Sequence, residues 1–244
     1  MKNAKESLIV ALDTSSEAEV TSLVNSLKDH VGYFKIGLEL FTGFGLRIIQ
    51  VVKDSGCKIF FDGKFLDIPN TVSKAVSNLA KHKVDMINVY ISGGSKMLKD
   101  TKESLIETAM QNNMQPPKLL GVTVLTSITN DILENDLKIK SQLDEYVLHL
   151  ANIAIDNGLD GIICSPNEAK LVRTLSSNFL IVTPGVRPKW AEVNDQKRIA
   201  TPKEAILNGA THIVVGRPIT TSKDPVSSAK KVLEEIEEAQ SVII

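Results

Sequence analysis

The chain has 244 residues, with 28 Lys+Arg against 29 Asp+Glu and a formal net charge of -1. That length can bury a full core, and near-neutrality leaves no electrostatic footprint for nucleic acid or an anionic membrane surface. The two cysteines, Cys57 and Cys164, are too few for a disulfide framework, which points to a reducing compartment, the cytoplasm.

In chain order, the first apolar run is Leu8–Asp13, reached from Met1 without a signal-peptide layout. Thr14-Ser-Ser-Glu17 follows with the spacing of a capping box, and Val20, Leu23, Val24 and Leu27 repeat with helical period. Tyr33–Ile36 and Lys58–Asp62 read as the second and third strands. Val72, Ala75, Val76 and Leu79 mark the helix after them. The remaining strands are expected at Met86–Ile91, Leu119–Leu125, Gly161–Cys164, Phe179–Thr183 and His212–Val215. Asp224-Pro225 then supplies an N-cap carboxylate and a first-turn proline for a last helix carrying Ala229, Val232, Leu233 and Ile236. No apolar run approaches the roughly 18 residues of a membrane span.

Eight strands alternating with helices, at about 30 residues per unit, fit an α/β fold of the (β/α)8 TIM-barrel type. No linker or composition shift divides the chain, so residues 1–244 are expected to form one domain. An open doubly wound sheet is the other arrangement with this alternation, but the first strand lacks the Gly-x-Gly-x-x-Gly turn of a dinucleotide site.

Barrel active sites form where strands end, so polar groups at those ends are the candidates. Strand one ends at Asp13, and strand two carries Lys35. Strand three runs into Asp62-Gly-Lys64-Phe-Leu-Asp67. Strand five is followed by Thr126, strand seven by Thr183-Pro-Gly-Val-Arg187, and strand eight by Gly216-Arg217. Charges inside apolar strands are costly unless paired or functional. Residues i and i+2 of a strand share a face, so Asp62 and Lys64 are expected to project together into the barrel mouth. Asp67 lies just before Ile68-Pro69-Asn70-Thr71 opens the next helix. Taken alone, this motif also fits a structural ion pair and an N-cap. Lys35 on the neighbouring strand adds a second cation, and adjacent carboxylates favour the protonated ammonium. A fixed, protonated lysine can donate a proton to a developing carbanion.

Gly216-Arg217 suits a phosphate, since glycine lets a backbone N–H approach and arginine supplies a fork of donors. The polar segment 187–201 is long for a barrel loop and contains Gln196, within reach of such a phosphate. The alternative is a solvated loop with a surface arginine. His30, His82, His149 and His212 lack metal-ligand spacing. Cys57 and Cys164 read as small buried hydrophobes.

Together these motifs closely resemble the orotidine 5′-phosphate decarboxylase family, in its shorter bacterial form. The resemblance runs from Ala11-Leu-Asp13 to Gly216-Arg217. Its most specific part is Asp62-x-Lys64-x-x-Asp67-Ile68-Pro69-Asn70-Thr71-Val72, supported by Leu159–Ser165 and Thr183–Arg187. The resemblance implies cofactor-independent, metal-free decarboxylation of orotidine 5′-phosphate to uridine 5′-phosphate and CO2, the last step of pyrimidine nucleotide synthesis. It implies Lys64 as proton donor to C6, Asp62 beside the departing carboxylate, and Lys35 and Asp67 completing the charged array. Asp67, Ile68 and Thr71 are implied to reach the active site of the other subunit in a homodimer. Asp13 and Lys35 are implied to contact the ribose, Thr126 the pyrimidine, and Arg187, Gln196, Gly216 and Arg217 the phosphate.

The sequence departs from the family at Gly63, where leucine is common, at Leu66, where histidine is common, and at Tyr90-Ile91, where His-Ala is common. A related sugar-phosphate enzyme that stabilises an enediolate with Mg²⁺ shares Asp-x-Lys-x-x-Asp but tends to carry a glutamate ligand at position 35. Lysine there repels the metal. A phosphate-binding barrel without activity is the remaining alternative, against which the intact Lys35, Asp62, Lys64 and Asp67 set argues.

Overall fold

Eight strands pair in parallel, each with the next and the last with the first, to close a barrel. The computed structural model describes residues 3–191 and 200–243. The strands are β1 Leu8–Ala11, β2 Tyr33–Ile36, β3 Lys58–Phe65, β4 Met86–Tyr90, β5 Lys118–Val122, β6 Gly161–Ile163, β7 Leu180–Thr183 and β8 His212–Val215. Around them lie α1 Ala4–Ser7, α2 Glu17–Leu27, α3 Leu38–Phe44, α4 Arg47–Lys53, α5 Pro69–Ala80 and α6 Gly94–Gln111. The ring continues with α7 Leu143–Asp156, α8 Pro166–Arg173, α9 Pro202–Leu207, α10 Arg217–Thr220 and α11 Pro225–Ile243. The expected (β/α)8 barrel is the fold observed.

The strands read as continuous apolar runs because both of their faces are buried. One set of side chains fills the barrel: Ile9 and Ala11, Tyr33, Phe60, Met86, Leu120 and Val122, Ile163, Val182 and Val214. The alternate set, including Leu8, Val10, Phe34, Ile36, Ile59 and Phe61, packs under the helices. This division fixes which polar residues point inward. Lys35 is two residues beyond Tyr33, Asp62 two beyond Phe60, and Asn88 two beyond Met86. All three therefore face the barrel axis, one layer nearer the mouth.

The opposite end is pinned by a device repeated every second strand. The N–H groups of Gly32, Asp85, Asp160 and Thr211 donate to Leu8, Ile59, Leu119 and Ile181 of the preceding strand. The last three residues also accept from that strand through their side chains. Ile59 N–H donates to Asp85 at 2.8 Å, Leu119 N–H to Asp160 at 2.9 Å, and Ile181 N–H to Thr211 at 3.0 Å. Lys102 and Lys118 neutralise Asp160, at 2.5 and 3.2 Å.

Several expected boundaries move. The Thr14–Glu17 capping box sits two residues later: Ser16 is the N-cap and accepts from Glu19 N–H at 3.3 Å, while Thr14 donates to the Glu19 carboxylate. The first strand stops at Ala11 and the fifth at Val122, so Asp13 and Thr126 stand on loops above the barrel. Strand β3 runs past Asp62 to Phe65. The Asp224 cap is as expected, with Ser227 N–H donating to its carboxylate at 2.9 Å. No helix among the described residues is long and apolar enough to cross a membrane.

Candidate active site

The charged residues named from the sequence converge at the C-terminal end of β2 and β3. Lys35 Nζ lies 3.0 Å from Asp13 Oδ1 and 3.3 Å from Asp62 Oδ2. Lys64 Nζ lies 2.7 Å from the other Asp62 oxygen. Asp62 is thus held between two ammoniums, and the chain of charge runs Asp13, Lys35, Asp62, Lys64. The Lys35 and Asp62 side chains are each only 11% exposed, whereas Lys64 is 30% and Asp13 53% exposed. The array therefore has a dry centre and two ends that meet solvent.

Burial by itself pushes the Asp62 carboxyl up, but Lys35 and Lys64, with hydrogen bonds from Lys64 and Asn88, outweigh it and hold the group below its ordinary range. Burial disfavours the Lys35 ammonium, and Asp62 and Asp13 more than reverse this, raising its pKa. Both groups are held in their ionised forms by each other.

The contact between Asp62 and Lys64 was expected from simple strand alternation, and the route is different. On β3, Phe61 pairs with Ile87 and Phe65 with Val89, so four residue steps face two on β4. The extra residues form a bulge, and Lys64 within it takes a left-handed backbone with φ +48°. A residue with a Cβ pays about 1–2 kcal/mol for that conformation. Asn88 of β4 sits opposite the bulge. Its Oδ1 accepts from Lys64 N–H and its Nδ2 donates to Asp62 Oδ1, both at 2.7 Å. Phe61 and Phe65 stack across Gly63 with centroids 6.1 Å apart, and a Cβ at Gly63 would come within 2.9 Å of both rings. The two rings therefore occupy the space that a side chain at position 63 would need.

A cavity of about 180 Å³ opens above the array, bounded by Lys35, Asp62, Lys64, Phe60, Leu125 and Thr126 among others. Larger hollows of about 560 and 670 Å³, on the 134–145 segment and beside Arg173, gather no comparable array. Thr126 is half-buried at the cavity wall. Arg187 is buried and Arg217 exposed, after β7 and β8 respectively. Gly216 lies beside the array: a Cβ there would be 3.8 Å from Asp13 Oδ2. Gln196 lies outside the described residues. The ends of that loop meet, with Arg187 N–H donating to Ala200 O at 2.9 Å.

Asp67 is not part of the array within this chain. It is exposed, and its Oδ1 accepts the N–H of Ile68 at 2.6 Å. The N-cap of α5 is Ile68 and makes no side-chain cap, so Asp67 is not the helix cap that its position allowed. Leu66 and Ile68 beside it are 55% and 66% exposed, and Thr71 is exposed as well.

Sequence reasoning missed three contributors. Asn88 was legible as a polar residue on the inner face of an apolar strand, which must find partners when buried. Gly37 leaves room for the array: a Cβ there would stand 2.8 Å from Lys35 Nζ and 3.4 Å from Asp13 Oδ1. Cys164, expected as plain core, lines the cavity. Among the described residues no group of three or more His, Cys, Asp or Glu stands together as a metal site.

Comparisons with known proteins place this fold in a family. A family profile, orotidine 5′-phosphate decarboxylase / HUMPS family, matches residues 6–232. The chain is 44% identical over 234 residues to an orotidine 5′-phosphate decarboxylase of Nostoc sp., covering 96% of this chain and 98% of that one. It is 46% identical over 227 residues to the enzyme of that name from Staphylococcus saprophyticus, covering 93% and 96%. The crystal structure of orotidine 5′-phosphate decarboxylase from Lactobacillus acidophilus superposes with a TM-score of 0.83 at 40% identity, covering 94% and 98%. A barrel with its charged array at the strand ends, matched along nearly its whole length, belongs to the orotidine 5′-phosphate decarboxylase / HUMPS family.

Proposed function

We propose that this chain decarboxylates orotidine 5′-phosphate to uridine 5′-phosphate and CO2, with Lys64 as the proton donor. The observation that carries this reading is the Lys64 ammonium, held 2.7 Å from a buried Asp62 at the edge of a small cavity. The bond between C6 and the carboxylate breaks, CO2 leaves, and the electron pair remains on C6. Lys64 delivers its proton to that carbon and regains one from solvent. The carbanion has little resonance help, so a fixed ammonium beside it stabilises the developing charge without reorganising. Asp62 lies beside the departing carboxylate and keeps both lysines charged and aimed.

The remaining residues bind. Asp13 and Lys35 meet the ribose hydroxyls, Thr126 the pyrimidine, and Arg187, Gln196, Gly216 and Arg217 the phosphate. Phosphate contacts are remote from C6, so their binding energy is available to organise the site around the reacting atoms. Asp67, Ile68 and Thr71, exposed here, are completed by a second copy of the chain, each serving its partner's site. Residues 1–244 act as one domain, in the cytoplasm, where the free thiols of Cys57 and Cys164 persist.

The second reading is a sugar-phosphate enzyme using Mg²⁺, which the family's breadth includes. Lys35 disfavours it, because an ammonium already lies between Asp13 and Asp62, where a divalent ion would need their oxygens. The test is loss of orotidine 5′-phosphate absorbance with purified protein in EDTA. Turnover that persists supports the metal-free reading. Turnover lost in EDTA and restored by Mg²⁺ overturns it.

A further inference from the structure

We propose that Asn88 is a positioning residue that sets the Asp62–Lys64 geometry, clamping both through the two ends of one amide. Asn88 is fully buried, with no exposed surface. It lies on β4 between Ile87 and Val89, the two residues whose partners on β3 bracket the bulge. The bulge removes regular ladder bonds at this point, and the Asn88 side chain replaces them. Its Oδ1 takes the Lys64 N–H and its Nδ2 gives to Asp62 Oδ1, both at 2.7 Å. The partners fix the orientation of the amide, since only an oxygen can face an N–H and only an NH2 can face a carboxylate.

The clamp acts on two features that chemistry needs together. It satisfies the backbone N–H of a left-handed residue, so the φ of +48° that aims Lys64 is held from the neighbouring strand. It also places a second donor on the same Asp62 oxygen that receives the Lys64 ammonium. Oδ1 then points at Lys64 while Oδ2 remains on Lys35. Asn88 does not line the cavity and carries no charge, so it acts through Asp62 and Lys64 rather than on substrate. The groups facing Asp62 are Lys35 from β2, Lys64 from β3 and Tyr90 from β4, with Asp13 reached through Lys35.

This inference rests on the decarboxylase reading for its kinetic test, and a second readout is independent of it. Asn88→Ala should lower kcat by about 10²-fold, the size expected for a displacement of about 1 Å in a reacting group. KM should change by less than about threefold, since substrate contacts are untouched. The acid limb of kcat should move to higher pH, because Asp62 loses a donor that favours its ionised form. Asn88→Asp keeps the shape and accepts from Lys64 N–H, but when ionised it cannot donate to Asp62. Its kcat should be low at neutral pH and recover as pH falls and the new carboxyl takes a proton. Independently of turnover, a carbon-13 titration of Asp62 should give a higher pKa in Asn88→Ala than in the wild type.

A folded Asn88→Ala with wild-type kcat and an unmoved acid limb overturns the proposal. Should Asn88→Ala fail to fold, the isosteric Asn88→Asp decides: a pH profile equal to that of the wild type overturns it. A wild type that leaves orotidine 5′-phosphate unchanged refutes the decarboxylase reading instead. The clamp is then judged by the Asp62 titration alone, and an unchanged Asp62 pKa overturns it.

Discussion

Lys64 donates to Asp62 at 2.7 Å within a β-bulge, with Lys64 in a left-handed conformation and Asp62 directly after Phe61, the last residue of β3 in register before the bulge. Two residues apart on an ordinary strand, both side chains would rise in parallel. The bulge instead turns the Lys64 amine back toward the Asp62 carboxylate. The ammonium is then fixed at the open end of the array while its counter-ion stays buried.

Removing that amine tests the central assignment. Lys64→Ala should lower turnover of orotidine 5′-phosphate by about 10³-fold or more, since the variant loses both a general acid and a preorganised charge. Circular dichroism should be unchanged, because the Lys64 side chain is 30% exposed and packs no core. Wild-type-like turnover would refute the proton-donor role.

Asp62 links the array to pH. Its pKa is held below the ordinary 3.8, so the stability it contributes is fully present above about that pH and is lost as pH falls through the lower native value. Lys35 is raised above the ordinary 10.5, so its share is present below that pH and is lost as pH rises through the higher native value. Asp62→Ala leaves Lys35 with Asp13 alone and should cost about 3 kcal/mol on the plateau between these limits. Urea titrations at intervals from pH 3 to 8 would measure it. The gap between wild type and variant should begin to narrow as pH falls below 3.8, and a constant gap across that range would show that ionisation of Asp62 is not what stabilises.

Gly37 makes a sterically defined prediction. Gly37→Ala places a methyl 2.8 Å from the present position of Lys35 Nζ, inside contact distance. The lysine tip must move, while the backbone at φ -96° accepts alanine without strain. Turnover should fall by about 10-fold to 10²-fold with little loss of thermal stability. Equal turnover in the two proteins, measured by the same absorbance assay, would show that Lys35 has slack in its position.

Arg217 tests the phosphate side. Arg217→Ala should raise KM by about tenfold to a hundredfold, the value of a charge-assisted hydrogen bond removed from a ligand. Saturation curves decide this, and an unchanged KM removes Arg217 from the phosphate site.

The barrel and the charged cluster at its mouth were legible in the sequence because buried parallel strands are apolar on both faces. Each charge within them therefore stood out. Lys35 and Asp62 are the clearest cases, each two residues beyond an inward aromatic. Local geometry was not legible in the same way. The bulge at Lys64 depends on how β3 registers against β4, and a single strand's pattern does not encode its neighbour's register. Asn88 matters through contacts with residues 24 and 26 positions away, and Gly37 through its approach to Lys35 and to Asp13, so each gains meaning only once the barrel closes. The helix cap lies at Ser16 because two overlapping spacings, Thr14 to Glu17 and Ser16 to Glu19, both fit a capping box, and the helix begins after the later one.

Asp67 offers the sharpest test of assembly. It is exposed, bonds to the neighbouring Ile68 N–H, and joins neither lysine of its own chain, although the sequence motif sets it three residues from Lys64. If it completes a partner's site, Lys64→Ala and Asp67→Ala homodimers are each inactive for different reasons. In a hybrid dimer, one site receives both defects and the other receives none. Equimolar mixing with subunit exchange should therefore restore roughly a quarter of wild-type turnover, since half the dimers are hybrid and each has one intact site. The measurement is turnover against mixing time under conditions that permit exchange. No recovery above the parent proteins, with hybrid dimers confirmed by native mass spectrometry, would place Asp67 in the site of its own chain or outside the chemistry altogether.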